Sequence, residues 1–171
     1  MNRKQLEHVL RACGSIADSR EIVVIGSQAI LGAHPDAPSE LLASLEADVY
    51  PLNAPEKADL IDGSIGELSP FHQTFGYYAH GVGPETALLP GQWRSRLVRI
   101  QNENTGGTTG WCVSPVDLAT SKLLAGRPKD VEFVRVMLRH GLTTKTAITN
   151  VLGELPAAQA NLVSTQLAQC R

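Results

Sequence analysis

Two acids spaced two apart, Glu46 and Asp48, lie in an extended-looking run bounded by Pro51. Alternate residues of a β-strand share a face. Leu45, Ala47 and Val49 are therefore expected to face a core while Glu46 and Asp48 project together from the other side. Neighbouring carboxylates repel each other unless one is protonated or a cation bridges them. The pair reads as a divalent-metal site at the edge of a small sheet, or as ordinary alternation on a solvated strand. Upstream, the apolar run Ile22-Val23-Val24-Ile25 delivers a small-residue turn, Gly26-Ser27.

A second cluster is basic. Lys122, Arg127 and Lys129 fall within eight positions, with Asp130 beside them. Such a group can hold a triphosphate, lysine acting as a point charge and arginine as a fork. The plainer reading is a turn between helices with solvated charges, Asp130 capping the next helix.

The elements that must position these groups can be read along the chain. Leu6, Val9, Leu10 and Cys13 have the spacing of a short amphipathic helix over residues 4–13. Glu21 to Ile25 reads as a strand buried on both faces. A helix is expected over 55–68, and residues 69–93, rich in Gly, Pro, Tyr and His, read as irregular structure or a lid. Arg96 to Ile100 and Trp111 to Val113 read as strands. Ser114-Pro115 is a strong helix start, with Asp117 complementing the dipole, and Gly126 closes that helix. Three more helices are expected near 130–140, 144–152 and 156–169. Strands before residue 114 and helices after it argue for an α+β fold, a small mixed sheet flanked by helices with a helical C-terminal portion. The expected division is a core over 1–125 and a helical extension, packed on it, over 126–171.

Composition narrows the function classes. The chain has 171 residues, 43% in the apolar set and 19% charged, as an ordinary globular protein does. With 15 basic and 17 acidic residues the net charge is −2, so no global field attracts nucleic acid. Cys13, Cys112 and Cys170 lack paired spacing, which argues against structural zinc and a disulfide framework. No apolar run has the length of a membrane span and no signal peptide is apparent, so a cytoplasmic location is expected.

The order of these motifs resembles a known family. A strand ending in Gly26-Ser27, a strand with Glu46-Ala47-Asp48, then Asp117-Leu118-Ala119, Lys122-Leu123 and Arg127-Pro128-Lys129-Asp130 before Phe133 is similar to the minimal nucleotidyltransferase superfamily. The likeness is to small uncharacterised prokaryotic members related to the nucleotidyltransferase toxins of type IV toxin–antitoxin and abortive-infection systems. It spans roughly residues 20–140, and Leu89-Pro90-Gly91-Gln92-Trp93 resembles the same members. The resemblance implies Glu46 and Asp48 as Mg2+ ligands and Gly26 and Ser27 holding the phosphates of a nucleoside triphosphate. It implies Lys122 and Asp130 as residues needed for activity, beside Arg127 and Lys129, whose charge and spacing suit the nucleotide's phosphates. The implied reaction moves a nucleotidyl group to a hydroxyl of RNA or protein, with a cognate antitoxin as partner. The alternative is a catalytically degenerate relative that binds a nucleotide or a protein.

The sequence departs from the family where Asp-x-Asp is replaced by Glu46-Ala47-Asp48. A third carboxylate is also missing from an obvious place, with Glu103 the best candidate and Glu85 and Asp117 behind it. His72, Tyr77, Tyr78 and His80 are read either as substrate-stacking groups or as aromatic plugs under a loop. Arg94, Arg96 and Arg99 could enlarge the basic patch, which still supports only weak RNA binding. Cys112 between Trp111 and Val113 is expected to be a buried inert thiol.

Overall fold

Ile22, Val23, Val24 and Ile25 are all buried, because the strand they form lies at the centre of the sheet. The computed structural model of the chain describes residues 1–170. The central strand, β1 (Glu21–Ile25), pairs antiparallel with β2 (Glu46–Pro51) and parallel with β5 (Thr109–Cys112). Outside β2 runs β3 (Tyr78–Gly81), parallel to it; outside β5 runs β4 (Val98–Ile100), antiparallel. The order is therefore β3-β2-β1-β5-β4, a mixed five-stranded sheet. A centre strand with two buried faces cannot alternate in polarity, which explains its unbroken apolar run.

Helices flank this sheet. The first, α1 (Arg3–Ala17), is closed at its start by a reciprocal pair of bonds between Asn2 and Gln5. It buries Leu6, Val9, Leu10 and Cys13 against the strands and α3 (Ala58–Ile65). The short α2 (Ile30–Ala33) follows a 3-10 turn at Ser27–Ala29. After β5, Ser114 caps α5 (Pro115–Ala125), accepting from the Asp117 amide, and Gly126 ends it at a φ of 64°. The left-handed backbone there suits glycine. Helices α6 (Pro128–Arg139) and α8 (Ala157–Gln169) pack on α5, and α7 (Lys145–Asn150) also touches it.

Several expectations change. Residues 69–93 are not irregular throughout: Ser69 caps α4 (Pro70–Phe75), Gly76 ends it at a φ of 75°, and β3 follows. Elements of six and four residues are too short to display a period. The helix expected over 55–68 is a 3-10 turn at Pro55–Lys57 followed by α3. The strand expected from Arg96 begins only at Val98, because Trp93–Arg96 is a 3-10 turn, so Arg94 and Arg96 do not alternate along a strand. Leu45 precedes β2 and is 51% exposed rather than in the core.

Candidate metal and nucleotide site

The alternation of β2 buries Ala47 and Val49 completely and leaves Glu46 and Asp48 half-buried together. Parallel pairing sets Tyr78 opposite Glu46 and His80 opposite Asp48. The His80 imidazole Nδ1 lies 3.0 Å from Asp48 Oδ1, and the Tyr78 hydroxyl donates to Glu46 Oε2 at 3.1 Å. Glu46, Asp48 and His80 each bring a ligand atom within 4.8 Å of the others. Among the described residues no group donates to Asp48 Oδ2 or Glu46 Oε1.

Burial, then the charge of Glu46, pushes the Asp48 carboxyl above its usual range. Ionising Asp48 therefore costs free energy that a bound cation would return. Burial and the bond to Glu46 push the Tyr78 phenol up to about 12, so it remains a donor at neutral pH. Gly26 passes over Asp48 at a φ of +66°, and a Cβ there would fall 2.2 Å from Oδ2. Only glycine combines that backbone with so close an approach to the carboxylate. Two carboxylates with free oxygens and an imidazole are chemically suited to a divalent cation.

Across the same cleft stands the basic cluster. Lys122 Nζ donates to Ser27 Oγ at 2.7 Å and to Asp130 Oδ1 at 3.0 Å, and lies 4.8 Å from the Phe133 ring centre. Arg127 donates to the other oxygen of Asp130. Burial disfavours the Asp130 carboxylate, but the bonds from Arg127 and Lys122 outweigh it and hold the carboxyl below its usual range. Asp130 is not the cap of α6. Arg127 occupies that position, and Asp130 lies one turn inside, reaching back to the two cations.

One cleft of about 340 Å³ is lined by Gly26, Ser27, Glu46, Asp48 and His80 together with Lys122, Arg127, Lys129 and Asp130. Gly26, Ser27, Glu46, Asp48, Lys122, Arg127, Lys129 and Asp130, the residues expected at a site, thus border one space. The three candidates for a further carboxylate do not. Glu103 lies in a 3-10 turn packed on α1, and Asp117 is buried under Arg96. Glu85 is not among the lining residues, although Thr86 and Ala87 are.

The arginines near β4 also go elsewhere. Arg96 is bound by Asp117 and Glu154, Arg94 lies 4.7 Å from the Trp93 ring centre, and Arg99 bonds to Gln101. The aromatic residues divide. Tyr77 is buried among His8, Phe71 and Phe75 as a plug, while Tyr78 and His80 reach the acids. Sequence reasoning had not joined His80 to the metal pair. The available signal was Tyr78-Ala79-His80, which repeats the polar-Ala-polar pattern of Glu46-Ala47-Asp48.

Residues 4–146 match a protein family described as "Nucleotidyltransferase of unknown function (DUF6036)". The chain belongs to this nucleotidyltransferase family. The description names no toxin, antitoxin or acceptor. Neither the curated proteins nor the solved structures contain a significant match. Among the described residues of this nucleotidyltransferase-family chain, no helix is long and apolar enough to cross a membrane.

Proposed function

We propose that the protein is a metal-dependent nucleotidyltransferase that moves a nucleotidyl group from a nucleoside triphosphate to a hydroxyl of RNA or protein. The observation that carries this reading is the facing of Glu46 and Asp48 by Lys122, Arg127 and Lys129 across one cleft. In the transfer an acceptor oxygen forms a bond to the α-phosphorus, the α–β bridging bond breaks, and pyrophosphate leaves as the acceptor's proton passes to solvent. Such a reaction needs alignment and charge stabilisation more than covalent help from protein.

Glu46 and Asp48 would hold a divalent cation such as Mg2+, which supplies charge neutralisation on the phosphate oxygens. Gly26 leaves the approach to Asp48 open. Lys122 has three N–H donors and spends two, on Ser27 and Asp130, so one remains for a phosphate oxygen. The Arg127 side chain is 60% exposed, and its Nε bond to Asp130 leaves the fork ends for the leaving pyrophosphate. Asp130 acts through both cations as a positioning residue.

Labelled nucleotides incubated with the protein, a divalent metal and total RNA or protein test the reading. The wild type should transfer label, and Asp48→Asn should lose about a hundredfold or more, since metal stabilisation is worth several kcal/mol. Equal labelling by both would remove the mechanism. Nucleotide binding without transfer in the wild type would instead favour a degenerate binding protein, a reading supported by Asp130, the third acid lining the cleft, being held by Lys122 and Arg127.

A further inference from the structure

The position beside the acid pair is filled by an imidazole, not by a carboxylate. His80 lies on the edge strand β3, directly across the parallel ladder from Asp48. Its nitrogen is already 3.0 Å from Asp48 Oδ1, and all three side chains offer ligand atoms within 4.8 Å of one another. Asp48 Oδ2 sits in the space left open by the missing Cβ of Gly26, an oxygen with no donor among the described residues.

A donor set of one nitrogen and two carboxylates does not suit all divalent cations equally. Mg2+ is hard, holds its water tightly and takes oxygen ligands. Imidazole is a favourable ligand for first-row transition metals, which also accept carboxylates. Tyr78, donating to Glu46 Oε2, leaves Oε1 of that carboxylate for a metal and restricts its rotation, as outer partners of metal ligands do.

We infer that His80 is a direct ligand in a mixed nitrogen–oxygen centre that selects a first-row transition metal over Mg2+. This rests on the metal assignment to Glu46 and Asp48 made above and adds the third ligand and the class of metal. The consequence is that the protein prefers Mn2+ to Mg2+ for reasons built into its own side chains. Replacing the imidazole by a carboxylate should return the preference toward Mg2+.

The test uses the full chain and metal alone, without nucleotide, so that no base nitrogen contributes. Mn2+ binding is followed by electron paramagnetic resonance, with Mg2+ as competitor and spin-echo modulation reporting directly bound nitrogen. The wild type should bind Mn2+ with nitrogen modulation. His80→Ala should lose that modulation and bind about tenfold more weakly. His80→Asp should bind without it and show a Mn2+ to Mg2+ affinity ratio several-fold lower than the wild type.

The His80 side chain is 50% exposed at a sheet edge, so these variants should keep the fold, checked by metal-free thermal melting. The wild-type modulation decides the matter even if they do not. Mn2+ bound without nitrogen modulation would overturn the inference and leave an oxygen-only metal site intact. Failure of both Mn2+ and Mg2+ to bind would overturn it together with the metal assignment on which it rests.

Discussion

Helix α5 carries a charged cluster at each end, and the two are built from the same kinds of residue. At its start, Arg96 bonds to both oxygens of the fully buried Asp117 and to both oxygens of Glu154. Ser114 also donates to Asp117, and the Gln92 amide to Glu154, so each of the four carboxylate oxygens has a donor. Toward its end, Lys122 and Arg127 satisfy Asp130, but across the cleft Glu46 and Asp48 each keep an oxygen without a donor among the described residues. The first cluster is closed and ties the segment before β4 and the turn before α8 to α5. The second is closed on one wall and open on the other. Ion pairs alone therefore do not distinguish the two clusters; unpaired lone pairs facing spare cationic donors do.

The contrast can be broken by removing one cation from each cluster. Arg96→Ala should be the more damaging, costing about 3–5 kcal/mol, because it leaves the buried Asp117 charge without a counter-ion. A urea titration that found less than about 1 kcal/mol would show that Asp117 is not held as an ion in this network. Lys122→Met should cost only about 1–2 kcal/mol in the same measurement, since Arg127 still serves Asp130 and the thioether covers Phe133. Its main effect should be weaker nucleotide binding, by about tenfold for one lost charge-assisted bond. Equal destabilisation by the two variants would erase the distinction between a structural and an open cluster.

The smallest expected effect is on the acid limb of stability. Bonds from Arg96 and the Gln92 amide hold the Glu154 carboxyl below its ordinary 4.5. A depressed folded value means that this stabilisation is complete above about pH 4.5 and fades as pH falls through the lower folded value. Glu154→Gln should accordingly flatten the loss of stability below that pH, while Glu132→Gln, at an exposed surface pair, should leave the limb unchanged. Identical acid limbs for the two variants would place Glu154 among weak surface pairs.

Much of the open cluster could be read locally. Glu46 and Asp48 share a face because the backbone of an extended strand makes it so, whatever lies next to it. Ser114-Pro115 and Gly126 bracket α5, so Lys122 was placed near its end without any knowledge of packing. The turn Arg127-Pro128-Lys129-Asp130 is likewise contiguous. Whether Asp130 caps α6 or reaches Lys122 stayed open in the sequence, because the choice between binding its own backbone and reaching Lys122 depends on where α5 and α6 cross.

The amino-acid sequence by itself determined the alternating acids, the glycine turn, the capped helix and the basic connection. Each of these depends on bonds and dihedrals spanning a few residues. Tertiary structure alone decided that His80 joins the acids and that Asp117 and Arg96 cancel each other away from the cleft. His80 and Asp48 are 32 residues apart, and Arg96 and Asp117 are 21 apart. Their meeting follows from strand register and helix docking, which are set by burial of the whole core, and a slip of one residue on β3 would send His80 to the opposite face.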